Sequence, residues 1–391
     1  MPHEFKVIKI DPYTCTIDEL KAEIKRLRNV IDEYNGVQHS IKIFINSVYG
    51  ACASPFFVGY NISIAEAVTL QGQDIIHFAN SVLDDYFLNM WHLDTEVHKA
   101  LGITFVQKVS NKSLIIYNDT DSTYVTLEPV IKSCNYEGNP VNFILELKKL
   151  RLDTYLRGKF NEYGKKFNTE NIQNLQLEKI SYSALMMAKK KYVLDIAWKD
   201  PGVNYERLQK ISPTGVELVQ RSTPKFARKA LKELLKYIFK EGKELNYSDA
   251  VKKLKAYKQE FVLQDPDDIS KTMGVGEYEK YVLEDKKQIV LAPKCPINIR
   301  SGAVYNHKLM GTKWKNKYNL IKSGDNIKYY YSTAPEEVFG FLPGNFPHEF
   351  APEIDYDKQF EHCIVDPFNR FIETLGFSPI PGNLIYAHSL F

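Results

Sequence analysis

The apolar rhythm of this chain switches from helical to period two near Ile103, and that first change constrains the fold more than any other feature. Up to about Met90 the rhythm is helical. Thr16 and Glu19 have capping-box spacing, and Ile17, Leu20, Ile24, Leu27 and Ile31 follow at three- and four-residue intervals. Charged residues fill the other faces, as on a hairpin arm projecting into solvent. Gly36 is the expected interruption, after which VQHSIKIFINSVYG resumes the rhythm. A second helix, rich in alanine and free of proline, is expected from Ile62 to about Met90. From Ile103 to Leu127 the period becomes two, and ITFVQKVSNKSLIIYNDTDSTYVTL reads as strand, turn, strand, turn, strand. Helix returns near Asn142 to Phe167, and strand near Lys191 to Trp198. The class is α+β, with an acidic-site lobe to about residue 215 and a basic lobe beyond.

Charge separates the lobes more clearly than the net value of +3 does. Between Lys189 and Lys240 there are 13 Lys+Arg against 5 Asp+Glu, and between Thr333 and Thr374 there are 2 against 9. Within the basic stretch, Thr223-Pro224 reads as an N-cap followed by a first-turn proline. The helix to about Lys240 then has two faces: Ala227, Leu231, Leu234 and Ile238 on one, and Lys225, Lys229, Lys232, Lys236 and Lys240 on the other. A second basic helix is expected after Ser248. The five cysteines are scattered with no CxxC pair, which argues against a disulfide frame or a zinc site. There is no signal segment at the start and no apolar run of the roughly 18 residues a span needs, so a cytoplasmic location and no membrane partner are expected.

Three clusters could carry chemistry. In KIFINSVYG, Lys42, Asn46, Tyr49 and Gly50 share one helical face: an ammonium for phosphate, an aromatic plate for a base pair, and a gap where that pair can approach. The plainer reading is an amphipathic turn with a stray lysine. In LIIYNDTDSTYV, period two sends Asp119 and Asp121 to one face and Thr120 to the other. Paired carboxylates suit Mg²⁺, which takes hard oxygens, and two-metal phosphoryl transfer needs such groups to hold cations about 4 Å apart. The plainer reading is a solvated Asx turn. In AKKKYVLD, three lysines and a tyrosine at the head of a strand suit a phosphate backbone, or a merely solvated face. Asp94 and Glu96 in DTE resemble an exonuclease carboxylate pair, but on a polar connection they read as a surface turn.

Together and in this order, the clusters resemble the family B DNA polymerases, especially those of tailed phages. KIFINSVYG matches the KxxxNSxYG finger motif, YNDTDS is similar to the YGDTDS palm motif, and KKKY is similar to the KKRY primer-template motif. GVELVQRSTPK and KCPINIRSGAVYN resemble stretches leading into and within the thumb, so the similarity runs from about residue 16 to 310. Two departures stand out: Asn118 in place of a turn glycine, and Lys191 in place of an arginine, which loses a bidentate phosphate fork. The resemblance implies a right-hand fold with partial helical fingers at 1–50, an antiparallel palm sheet with helices at 51–215, and a mainly helical thumb with a C-terminal tail at 216–391. It also implies roles. Asp121 would be the direct Mg²⁺ ligand with Asp119 beside it, and Glu178 a nearby acid. Lys42, Asn46 and Tyr49 would bind the incoming dNTP. Lys189, Lys190, Lys191 and Tyr192 would hold primer-template DNA, and Lys225, Lys229 and Lys232 would grip it from the thumb.

The resemblance is partial. The DxxSLYPS motif that carries the second palm aspartate is absent, as are an exonuclease domain and the first finger helix. The expectation is a C-terminal subunit of a split polymerase, completed by an N-terminal polypeptide through a large, partly apolar interface. The alternative is an inactive DNA-binding accessory module or remnant. The end, Ile385 to Phe391 (IYAHSLF), resembles a peptide that docks on a sliding clamp, or is a tail packed on its own domain.

Overall fold

A computed structural model describes residues 10–11, 13–171, 173–284 and 287–386. The chain divides into two units, Met1–Gln173 and Asn174–Phe391.

The first unit opens with α1 (Ile17–Cys52), a single helix of 36 residues. Its start is the expected capping box: the Glu19 amide donates to Thr16 Oγ1 at 3.3 Å, and the Thr16 amide to Glu19 Oε2 at 2.8 Å. Gly36 does not interrupt it. A glycine inside a helix costs only about 1 kcal/mol, and Ser40 Oγ bonds back to the Gly36 carbonyl at 2.9 Å. After a turn, α2 (Ile62–Asp85) starts on the Asn61 side chain and runs on as a π-helical turn, Tyr86–Met90. The extent read from the sequence holds. Below it lies the core of this unit, where Trp91, Leu114, Val130, Phe143 and Leu147 have no exposed surface. Each such large apolar side chain contributes about 1.5–3 kcal/mol by burial.

Two readings change here. Residues 103–111 form no strand among the described residues, despite their alternation. A strand needs a ladder partner, and this stretch has a single backbone bond of that kind, from the Gln107 amide to the Ser133 carbonyl at 2.8 Å. The DTE segment is not a surface turn either. Asp94 is half-buried, caps the helix Thr95–Ala100, and accepts from Arg151 Nε and Nη2 at 2.7 and 2.8 Å and from Tyr86 Oη at 2.9 Å. Its role is to tie three segments of the unit together. Burial raises the Asp94 carboxyl, but the bonds from Arg151, Tyr86 and the Val97 amide outweigh it and leave the group below its ordinary value.

The remaining strands of the first unit are β1 (Ile115–Asp119) and β2 (Ser122–Val125), an antiparallel hairpin on its own. In the second unit, β3 (Lys179–Ala188), β4 (Lys191–Lys199), β5 (Val203–Asn204) and β6 (Ile211–Thr214) make one antiparallel sheet, with β4 pairing all three others. Residues 192 to 198 of β4 are buried without a break. The sheet shares a core with the helix Lys225–Glu241, in which Ala227, Leu231, Leu234 and Ile238 are all buried, as its stripe predicts. Further on come β7 (Lys271–Gly274), β8 (Val282–Glu284), β9 (Val290–Leu291), β10 (Asn326–Tyr331) and β11 (Val338–Phe341). β7, β10 and β11 form a sheet in the order β11-β10-β7, and β8 pairs β9. The helix Ile297–Met310, from the KCPINIRSGAVYN stretch, packs against β11.

The thumb helix does not start as expected. Thr223 gives its hydroxyl to the Glu217 carbonyl at 2.6 Å, and Pro224 stands in the cap position with extended ψ, so the helix begins at Lys225 without a side-chain cap. The second basic helix, Tyr247–Phe261, is capped by Asn246. The chain end packs on it: Ile385, in the short helix Gly382–Tyr386, is buried, and Lys258 Nζ lies 5.4 Å from the centre of the Tyr386 ring. Of the expected clamp peptide, therefore, Ile385 and Tyr386 belong to this unit's own core, and residues 387–391 lie outside the described residues.

Candidate active site and nucleic-acid surfaces

The hairpin that carries the aspartates is anchored by α2. Asp84 accepts from the Leu114 amide at 2.8 Å and from Ser113 Oγ at 2.6 Å, which fixes where β1 begins. Higher up, Thr123 Oγ1 lies 2.8 Å from Asn80 Oδ1 and 3.0 Å from Asn118 Oδ1, joining α2 to both strands. Tyr117 and Tyr124 face each other across the ladder with ring centres 5.5 Å apart. These contacts matter because an isolated two-stranded hairpin is marginal in water.

Pairing of Asp119 with Ser122 leaves a two-residue turn, Thr120-Asp121. The left-handed residue is Thr120, at φ +55°, and not Asn118, which pairs with Thr123 inside the ladder. A β-branched residue there is uncommon and marks a strained turn. The Asp121 amide turns back to the Asp119 carbonyl at 2.6 Å. Asp119 is therefore half-buried at a strand end, while Asp121 is exposed on the turn itself. The alternation predicted from period two does not extend through the turn. Two carboxylates this close in sequence at a tight turn suit a hard cation. Among the described residues, however, no three His, Cys, Asp or Glu side chains gather as metal ligands. Glu178 is exposed in the second unit, just before β3.

Lys42 and Asn46 are exposed on α1 as the helical spacing predicts. Tyr49 is 2.8 Å from Thr69 Oγ1 through its hydroxyl, so one edge of its ring is directed to α2.

In the second unit Lys189 and Lys190 form the two-residue turn between β3 and β4, both exposed, and Lys191 opens β4, also exposed. Tyr192 is buried, between Met186 on β3 and Thr214 on β6. Lys190 adopts φ +61°. Gly215, just after β6, has φ +65°, and a Cβ there would run into the Lys190 carbonyl and lie 3.4 Å from Lys191 Cγ. The glycine of GVELVQRSTPK thus sets the position of the lysine turn. Sequence reading missed this link, although an isolated glycine next to a strand is the usual sign of close backbone approach. Asp195, the last residue of AKKKYVLD, is fully buried, where it accepts the Leu208 amide at 2.9 Å. On the thumb helix Lys229 and Lys232 are exposed, whereas Lys225 is paired with Asp268 at 3.1 Å.

Residues 18–136, which take in α1, α2 and the β1–β2 hairpin, match the model of DNA polymerase family B. The DNA-directed DNA polymerase of Escherichia phage RB69 is 26% identical over 320 residues, covering 75% of this chain and 33% of that protein. That of Enterobacteria phage T4 is 26% identical over 387 residues, covering 94% of this chain and 40% of that protein. The DNA polymerase delta catalytic subunit of Candida albicans is 24% identical, covering 97% of this chain and 31% of that protein. The matched segment belongs to the family B DNA polymerases. The chain spans two fifths or less of the length of these relatives. No helix among the described residues is long and apolar enough to cross a membrane.

Proposed function

We propose that this chain is the C-terminal part of a DNA-directed DNA polymerase of viral replication, active in template-directed nucleotidyl transfer when an N-terminal polypeptide supplies the DxxSLYPS aspartate. One observation carries the reading: the paired carboxylates of the Thr120-Asp121 turn are held by α2, inside the segment that matches the family. Bound there, Mg²⁺ would clamp the attacking and leaving oxygens of phosphoryl transfer. Asp121, exposed on the turn, is the direct ligand in this reading, with Asp119 as its weaker neighbour. Lys42 and Asn46 project from α1 toward an incoming triphosphate, and Tyr49, steadied by Thr69, flanks the nascent pair. The turn Lys189–Lys190, with Lys191, and the exposed Lys229 and Lys232 bind primer-template phosphates independently of sequence. Tyr192 acts from within the sheet, by holding that turn. Lys225 and Glu178 have subordinate roles, and residues beyond Tyr386 reach a sliding clamp.

The test is primer extension by this chain with Mg²⁺ and dNTPs, with and without the N-terminal polypeptide. Extension only with both, lost in Asp121→Asn while duplex affinity stays the same, is the expected result. Full-rate extension by the chain alone would refute the dependence on a partner. Duplex binding with no extension under any condition would favour the second reading, a DNA-binding module without chemistry.

A further inference from the structure

Asp195 is the one acid of AKKKYVLD, and it has no exposed surface. It lies on the face of β4 that carries Val193 into the core shared with the helix Lys225–Glu241. Oδ1 accepts the Leu208 amide at 2.9 Å, and Oδ2 has no partner among the described residues. Burial pushes this carboxyl above its ordinary value, although the Leu208 amide and the Arg207 guanidinium draw it down. A carboxyl so placed is costly, and what it holds is unusual. Along the edge of β4 the Tyr205 amide reaches the Ala197 carbonyl at 2.8 Å, and the Ile196 amide reaches the Lys210 carbonyl at 2.9 Å. Adjacent residues of β4 are thus bonded to residues five apart, and 206–209 loop out between them. The loop closes on itself, with the Glu206 amide on Gln209 Oε1 at 2.8 Å and the Gln209 amide on the Glu206 carbonyl at 3.1 Å. Leu208 within it has φ +65°, a backbone that an L-residue adopts only at a cost. Beside Leu208, Arg207 Nη2 donates to the Phe239 carbonyl at 3.0 Å. That carbonyl belongs to the last turn of the helix Lys225–Glu241, where acceptors lack partners within the helix and a cation is favoured.

We propose that residues 206–209 form a strap that sets the lysine turn against the thumb helix, with Asp195 and Arg207 as positioning residues for primer-template DNA. The inference rests on the reading above that Lys189, Lys190 and Lys191 on one element, and Lys229 and Lys232 on the other, bind phosphates. Two successive residues of the strap reach the two elements. Through the Leu208 amide, the Asp195 carboxyl fixes where β6 begins: Ile211 pairs with Asp195, Thr214 pairs with Tyr192, and Gly215 then meets the Lys190 carbonyl. Through Arg207, the same loop holds the end of the helix on which Lys229 and Lys232 are exposed. Two groups of cations kept at a fixed spacing grip one duplex more tightly than either does alone, because the second engagement is intramolecular. Charge alone makes a different demand. Loss of an acid would strengthen phosphate binding or leave it unchanged, and loss of a base would weaken it. The strap requires both losses to act in the same direction.

The test measures duplex affinity of the full chain by fluorescence anisotropy at fixed salt. The variants are Asp195→Asn, Asp195→Val, Arg207→Met and the last two combined, each made in the wild type and in Lys229→Ala/Lys232→Ala. Circular dichroism and urea unfolding check that each is folded. Arg207 is exposed, so Arg207→Met tests the strap even where Asp195→Val does not fold. Asp195→Asn keeps an acceptor for the Leu208 amide and should bind as the wild type does. Asp195→Val and Arg207→Met should each weaken binding at least about fivefold, and the combined variant no more than the larger single loss. Without the thumb lysines the same changes should cost less than about twofold, since no second surface is left to set. Wild-type affinity in Arg207→Met, losses that multiply in the combined variant, or losses undiminished without the thumb lysines would overturn the strap. Asp195→Asn binding as weakly as Asp195→Val would overturn the positioning role of Asp195. If Lys229→Ala/Lys232→Ala leaves the affinity of the wild type unchanged, it is the reading of the thumb surface that fails, and the strap falls with it.

Discussion

Gly215→Ala should disturb the lysine turn from the far side of the sheet. The substitution has two separable costs. At φ +65° an L-residue is strained by about 1–2 kcal/mol. In addition the new methyl meets the Lys190 carbonyl, which is backbone in a two-residue hairpin turn and has no rotamer by which to withdraw. Something in that turn must therefore shift, bringing the total to about 2–4 kcal/mol, in the range of core overpacking. Gly242→Ala is the internal control, since Gly242 has φ +57° but nothing within 4 Å of a built Cβ. With ψ at −125° it should show a backbone cost alone, about 1–3 kcal/mol. Urea unfolding followed by Trp198, which sits in β4, reads the stability difference. Duplex affinity, by anisotropy, should fall severalfold in Gly215→Ala and stay unchanged in Gly242→Ala. If the two variants lose equal stability and neither loses affinity, the close approach of Gly215 to Lys190 does not position the turn.

Asp94→Asn should destabilise the first unit by about 2 kcal/mol, because a half-buried carboxylate that takes two guanidinium bonds loses its charge. Since the folded Asp94 carboxyl lies below its ordinary value, its contribution is complete above about pH 4 and disappears as pH falls through the folded value; urea titrations at pH 7 and pH 3 should show the wild-type advantage shrinking at the lower pH. Lys229→Ala/Lys232→Ala should weaken duplex binding without changing sequence preference and lower the salt slope by about 1.8, measured between 50 and 200 mM salt. Truncation after Tyr386 should lower processivity on a clamp-loaded template but spare single-nucleotide insertion, whereas removal from Ile385 onward should also cost stability, because Ile385 is buried.

Much of the fold was legible because it is written locally. The capping box of α1, the buried stripe of the helix Lys225–Glu241 and the extent of α2 with its π turn all depend on neighbours within a few residues. What was not legible depended on distant chain. The alternation in 103–111 has the right period but no strand beside it, and β3, with its serines and alanines, alternates too loosely to be read before its pairing with β4 is known. Thr223 was a sound cap candidate whose hydroxyl instead found the Glu217 carbonyl. At the aspartates, residue types were readable but turn register was not: Asn118 looked like the turn residue, and the ladder gave that place to Thr120. The partners of Asp94 could not be foreseen, since Arg151 lies 57 residues away.

The hairpin on α2 has one more consequence, for the order of assembly. Its bonds to Asn80 and Asp84 all arise within about 45 residues of chain, so the turn bearing Asp119 and Asp121 takes shape as the first unit folds. In the proposed reading, the polypeptide that brings the remaining carboxylate meets a finished half and has only to dock in register. In the split-polymerase reading proposed above, a break upstream of α1 leaves the aim of these two aspartates unchanged, because the contacts that hold them lie between α2 and the hairpin.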